Sequence, residues 1–222
     1  MLKKETLTFL KTLDKNNDRE WFNAHKDQFT AAKENIAAFT GNLIALISKF
    51  DPDISGTLAA DCVFRIYRDV RFSKNKNPYK NNLGAYIAPG GRKSTSPGYY
   101  FHFQPGHSFI AAGLHMPDSA DLLKVRKAID TMPKEFLKTV EVKSFTERFD
   151  GLHGEKLKLM PKGFPADHPQ IEYLKMKSMT AHREYKDDKI ALARDYPKLL
   201  AADAKALYPF ISFLRSALRS GK

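Results

Sequence analysis

Apolar residues along the first fifty positions recur in steps of three and four. Leu7, Leu10 and Leu13 predict a short helix over residues 6–13, which DKNND then breaks. From residue 18 to 50 the apolar side chains fall at Phe22, His25, Phe29, Ala32, Ile36, Phe39, Leu43, Leu46 and Phe50. Steps alternating between 3 and 4 are the seam of one long amphipathic helix. Asn17 or Asp18 can cap its start. Gly41 is its weak point, at about 1 kcal/mol against alanine, and marks a bend. Asp51-Pro52-Asp53 ends it, because proline disfavours helix in the residue before it.

After Ala60 the period drops to two. CVFRIYRD (62–69) reads as a strand, with Cys62, Phe64 and Ile66 on one face and Val63, Arg65 and Tyr67 on the other. LGAYIAP (83–89), GYYFHFQP (98–105) and HSFIAAGLH (107–115) read as three more. In GYYFHFQP, Tyr99, Phe101 and Phe103 oppose Tyr100, His102 and Gln104, and Pro105-Gly106 turns the chain into the next strand. Helical spacing returns over 117–131, with Asp118 or Ser119 as cap, then over 134–140, 145–149, 169–177 and 196–218, where Pro209 must kink or split the last helix. LKLMPKGFPADHP (157–169) is an extended, proline-punctuated loop, and its part MPKGFPADHP (160–169) reads as a rigid loop that would cover a sheet edge. The fold expected is α+β: an antiparallel meander sheet of about four or more strands packed against a long N-terminal helix and C-terminal helices. No Gly/Ser-rich linker interrupts the 222 residues. One domain is expected, with N-terminal helices over 4–50, the sheet over 61–116 and a helical part over 117–222.

Composition sharpens this picture in three places. At 42% hydrophobic and 28% charged, the chain can build a core and is not a disordered polymer. One cysteine, Cys62, excludes an intramolecular disulfide and a four-cysteine zinc site, and at the head of a strand it reads as a small buried thiol. The start of the chain is charged and lacks a signal-type apolar stretch, and the longest apolar runs, such as 43–47, fall far short of the ~20 residues a membrane helix needs. A soluble, cytoplasmic protein is expected, with no membrane partner.

Charge adds the main functional lead. The net charge is +12, and +5 of it sits in the sixteen residues RIYRDVRFSKNKNPYK (65–80), which carry six cations and one acid. Such a cluster suits an anionic partner. Arg65, Arg68 and Arg71 offer planar forks for phosphate or carboxylate. Asp69 can orient either neighbouring arginine, Ser73 and Tyr79 supply hydroxyls, Phe72 and Tyr79 supply walls, and Lys76 and Lys80 add point charges. Trp21, His25, Tyr100 and His102 are the further side chains that can complete a ligand site. Arg92 and Lys93, in the turn-rich loop PGGRKSTSPG, can close over a ligand held by the first cluster. That loop lacks the GxxxxGK[ST] spacing and a following helix, so it is not a phosphate loop. HExxH and GxSxG are missing, and His102, His107 and His115 do not share a strand face. No metal, no cofactor and no catalytic residue is assigned. Three readings stay open: an anionic small-molecule site, a nucleic-acid surface reaching from the cluster to Arg92 and Lys93, or arginines that only hold the fold together.

FLKTLDKNNDREWFNAHKDQF (9–29), RDVRFSKNKNPYK (68–80) with the GAYIAP strand, GLHMP (113–117) and LKLMPKGFPADHPQIEYLKMK (157–177) together resemble the family catalogued as domain of unknown function 2461. The pattern RDxRFSxxKxPYK is the most specific part. Asn75 stands where the family pattern suggests an acid, and Phe29 where a tyrosine is common. The resemblance implies an α+β fold over residues 5–190 and carries no residue roles.

Overall fold

In the computed structural model, which describes residues 1–220, the first apolar period becomes α1 (Lys4–Lys15), with Leu7, Phe9, Leu10 and Leu13 buried. The long seam is not one helix. It is α2 (Arg19–Ala24) and α3 (Lys26–Ile47), separated at His25, whose backbone leaves helical values at φ −115° and ψ 24°. Asp18 caps α2 by accepting a hydrogen bond from the Trp21 N–H at 2.8 Å. The His25 ring donates through Nδ1–H to the Trp21 carbonyl oxygen at 2.8 Å. That side-chain bond gives the backbone an alternative at the break, and a seam of threes and fours does not register a one-residue interruption. Helix α3 runs unbroken through Gly41 and stops three residues before Phe50. Its last turns bury Ile44 and Ile47 while Leu46 is half-buried. A repeat of 3.5 drifts about 20° per heptad on a straight helix, so the buried stripe slides onto the next residues. Asn35, buried on α3, binds α1: its Oδ1 accepts from the Lys3 N–H and the Thr6 hydroxyl, both at 2.9 Å.

Residues 62–69 do not form a strand. Cys62 ends α4 (Ala59–Cys62), and the stretch beyond it makes only two isolated antiparallel bridges, Val63 to Ala85 and Tyr67 to Tyr79. Val63 to Tyr67 is four steps along the chain, but Tyr79 to Ala85 is six. The two extra residues on the return path, around Asn81 and Asn82, slip the register and break the ladder. What remains is an open loop pinned at its base by Arg68 N–H to Pro78 O and Lys80 N–H to Ile66 O.

The sheet is four-stranded and antiparallel, in the order β1 (Leu83–Ile87), β2 (Gly98–Phe103), β3 (Ser108–Leu114) and β4 (Met179–Tyr185). Tyr99, Phe101 and Phe103 are fully buried, as their alternation predicts. Phe103 meets Phe39 of α3 edge-on at 5.2 Å. Between β3 and β4 run α5 (Ser119–Thr131), capped by Asp118, α6 (Pro133–Val140), α7 (Lys143–Thr146) and α8 (Ile171–Leu174). Strand β4 carries an alternation, Met179-Ala181, that the following Arg183 and Glu184 obscure in the sequence. The chain just ahead of the 157–169 loop bridges its edge from His153 to Thr180, and bridges Met176, ahead of the strand, from Lys156. Helices α9 (Asp188–Leu192) and α10 (Tyr196–Arg219) close the described chain, and α10 passes through Pro209 without splitting. Among the described residues no helix is long and apolar enough to cross a membrane.

The chain packs as two compact units. One comprises Met1–Ser94, Tyr100–Ile110 and Glu184–Ala202, and the other Thr95–Tyr99, Ala111–Arg183 and the chain from Asp203 on. In the first, Tyr196 packs against Phe39 and Tyr185. In the second, the buried Asp203 carboxylate accepts from Arg148 at 2.6 Å and Arg183 at 2.9 Å. Every candidate site residue lies in the first unit.

Candidate anion-binding loop

The tip of the loop, from Asp69 to Asn77, is ordered by its own short-range bonds. Arg71 grips Asp69 with both Nε and Nη2, at 2.9 and 2.6 Å, and this pair is exposed. The pairing raises the Arg71 pKa and lowers that of Asp69. Arg68 donates to the Asn77 carbonyl and the Ser73 hydroxyl, each at 3.3 Å. Lys76 reaches the Val70 carbonyl at 3.1 Å. Phe72 forms no wall: it is 96% exposed, with the Arg71 guanidinium 5.9 Å from its ring centre.

Tyr79 also departs from its expected place. It is only 4% exposed, and its ring stacks on Phe22 at 3.9 Å and 12°. Burial pushes its phenol pKa up, and Tyr67 adds to the shift. Asn17 clamps its backbone from both sides, accepting from the Tyr79 N–H and donating to its carbonyl, both at 3.1 Å. Trp21 stacks on His25 at 3.9 Å and on Phe9 at 6.1 Å. Phe22 joins this aromatic cluster to Tyr67 and Tyr79. The sequence candidates Trp21, His25 and Tyr79 therefore share a largely packed cluster behind the loop.

A second group gathers at the base of the loop. Lys80 Nζ lies 5.6 Å from the centre of the Phe64 ring, which meets Tyr100 at 6.0 Å. Burial lowers the Lys80 pKa, and the nearby Arg65 charge lowers it further. Among the described residues, neither cation has a carboxylate within 4.0 Å. Beside them runs a hydrogen-bonded chain. His102 Nε2–H donates to Gln104 Oε1 at 2.9 Å, which leaves Nδ1 to accept the Tyr100 hydroxyl at 3.0 Å. Phe109 stacks on the imidazole at 4.5 Å. Burial lowers the His102 pKa, with His107 and Lys80 adding repulsion, and burial pushes the Tyr100 phenol up to about 12. Both side chains are thus neutral near pH 7. Tyr100 can lie across the sheet because residue 84 is glycine: a Cβ there would stand 2.8 Å from the Tyr100 hydroxyl.

With this geometry in hand, the comparison with protein families is decisive on kinship. The family described as "Conserved hypothetical protein (DUF2461)" matches residues 5–213. The chain belongs to the DUF2461 family. No curated protein and no solved structure matches it.

In this DUF2461 chain the remaining candidates take other places. Arg92 donates to the Ala60 carbonyl at 2.7 Å, so it is tied down beside α4. Cys62 is buried, and burial with the nearby Asp61 raises its thiol pKa to about 11, the state of an inert thiol. Among the described residues no group of three or more His, Cys, Asp or Glu side chains could hold a metal ion. An open groove of about 500 Å³ is lined by Lys134, Leu137, Lys138, Glu141 and Val142, none of them a candidate. Sequence reading missed Phe64, Gln104 and Phe109. Gln104 was legible as a member of the polar strand face, since it continues the Tyr100-His102 alternation. Phe109 was not, because its contact crosses from β3 to β2.

Proposed function

We propose that this chain binds a small anionic ligand, phosphorylated or carboxylated, at the base of the loop, where Lys80 packs over Phe64 next to Tyr100 and the Arg65 charge adds to that of Lys80. One observation carries the reading. Lys80 is half-buried with its ammonium 5.6 Å from the centre of the Phe64 ring, the Arg65 charge is near enough to disfavour its own, and among the described residues neither cation has a carboxylate within 4.0 Å. Like charges held together in that way are relieved by an anion between them. The neutral Tyr100–His102–Gln104 chain gives the site rigid polar groups without a competing negative charge. Arg71 contributes less, because Asp69 already neutralises it.

Thermal unfolding in the presence of pyrophosphate or inorganic phosphate tests this, with sodium chloride at matched ionic strength as reference. A ligand at a hundred times its dissociation constant adds ~2.7 kcal/mol, which is a rise of roughly 5–10 °C for a chain of this size. Arg65→Ala with Lys80→Ala should abolish the rise and leave the unliganded protein as stable as before, or slightly more so. A rise that survives the double substitution defeats the proposal. So does a large loss of stability without ligand, which would make these cations structural.

A further inference from the structure

Phe72 is the most exposed large apolar side chain among the described residues, at 96%. It stands on an ordered loop, because the Ser73 N–H bonds Val70 O, the Asn77 N–H bonds Asn75 Oδ1, and Arg71, Arg68 and Lys76 are each held within the loop. The Arg71 guanidinium, steadied by Asp69, lies over the ring at 5.9 Å from its centre and extends the stack that the ring begins. Five residues earlier Tyr67 is 49% exposed, and its ring is fixed against Phe22 and Tyr79. One ring packed at its base, Tyr67, and one fully exposed ring, Phe72, thus face solvent among Arg68, Arg71, Lys74 and Lys76. The two rings lie within one strongly cationic segment, and cations around them suit an anionic partner.

We infer that the loop from Tyr67 to Asn77 is a docking surface for single-stranded nucleic acid, with an unpaired base stacked on Phe72 and Arg71 and phosphates on Lys74 and Lys76. Charge alone suits any polyanion, and the rings decide among them. An acidic polypeptide has no base to stack, and a duplex keeps its base faces covered, whereas a single strand offers both charges and open rings. Arg92 is held to the Ala60 carbonyl, and the surface proposed is this loop alone. It is also separable from the small-anion site, since Phe72 takes no part in that.

Fluorescence anisotropy with a labelled single-stranded oligonucleotide of about a dozen nucleotides, at low salt and with the full chain, tests the inference. Phe72→Ala should weaken binding by roughly 5- to 150-fold, the worth of one stacked base. Phe72→Trp should restore it. Lys74→Gln should flatten the dependence of log K on log salt by about 0.7, one phosphate contact, while Phe72→Ala leaves that slope alone. Both Phe72 variants should keep the pyrophosphate response that Arg65 and Lys80 confer, so either reading can fail without the other. No binding of the wild type at low salt overturns the inference. Equal binding by wild type and Phe72→Ala also overturns it, as does polyglutamate of the same charge binding as tightly as the oligonucleotide.

Discussion

His102 is bonded at both ring nitrogens, stacked on Phe109 and buried, so the charged imidazolium would lose hydration that its neutral partners do not replace. Its folded-state pKa lies below the ordinary value of 6.5, and the unfolded chain therefore takes up the proton first as pH falls. Stability that is full above pH 6.5 should be lost as pH drops through 6.5 toward the depressed value, and the loss should level off below it. Urea midpoints at pH 7.5 and 5 in wild type and His102→Gln check this: the variant should show the smaller decline, and parallel declines would refute the assignment. Two aromatic residues seven apart in the same motif make a sharper contrast. Tyr79→Ala removes a buried ring stacked on Phe22 and should cost ~3–5 kcal/mol. Phe72→Ala removes a ring already in water and should stay within about 0.5 kcal/mol. Similar unfolding midpoints for the two would mean the placement is wrong. At this scale the sequence displayed charge well and partners poorly. Asp69 beside Arg71 was legible because they are neighbours in the chain. Nothing in a linear reading said that Tyr79 turns inward while Phe72 turns out, because both sit among the same cations.

Among the elements, those specified by their own period were readable and those specified by a partner were not. Helix α5, with its Asp118 cap, and the buried Tyr99-Phe101-Phe103 face of β2 follow from local spacing alone. The stretch 62–69 alternates like a strand, yet its pairing fails because the return segment is two residues too long. Strand β4 alternates weakly and is secured by its neighbours. Part of that security comes from Gly113 on β3, at φ +137°, where a Cβ would collide with the Met179 carbonyl oxygen. Gly106, in the β2–β3 turn at φ +72°, has open space around it. Gly106→Ala should therefore cost only the left-handed conformation, ~1–2 kcal/mol. Gly113→Ala should cost clearly more, because backbone must move to admit the methyl group. Thermal melts of the two variants decide it, and an equal loss would show that β3 and β4 do not approach so closely at that point.

For the whole molecule the relevant quantity is charge and where it sits. A net +12 spread evenly would push weakly on every part of the surface, whereas +5 in sixteen residues concentrates the repulsion in one loop. Salt acts on that repulsion, because the Debye length shrinks from about 30 Å at 0.01 M to about 10 Å at 0.1 M. The melting temperature of the wild type should rise between those concentrations of sodium chloride. If screening relieves ~0.5–1 kcal/mol, the rise is about 1–4 °C for a chain of this length. Lys74→Gln with Lys80→Gln removes two of the six cations and neither carries an acid partner among the described residues. That variant should melt higher than wild type at low salt and respond less to chloride. Sulfate at matched ionic strength adds a second reading. Its general stabilising effect is common to both proteins, so an extra rise confined to the wild type measures a divalent anion held at the loop. If the two proteins give parallel curves in both salts, the repulsion is distributed over the whole surface, and the concentration of charge in RIYRDVRFSKNKNPYK has no energetic consequence.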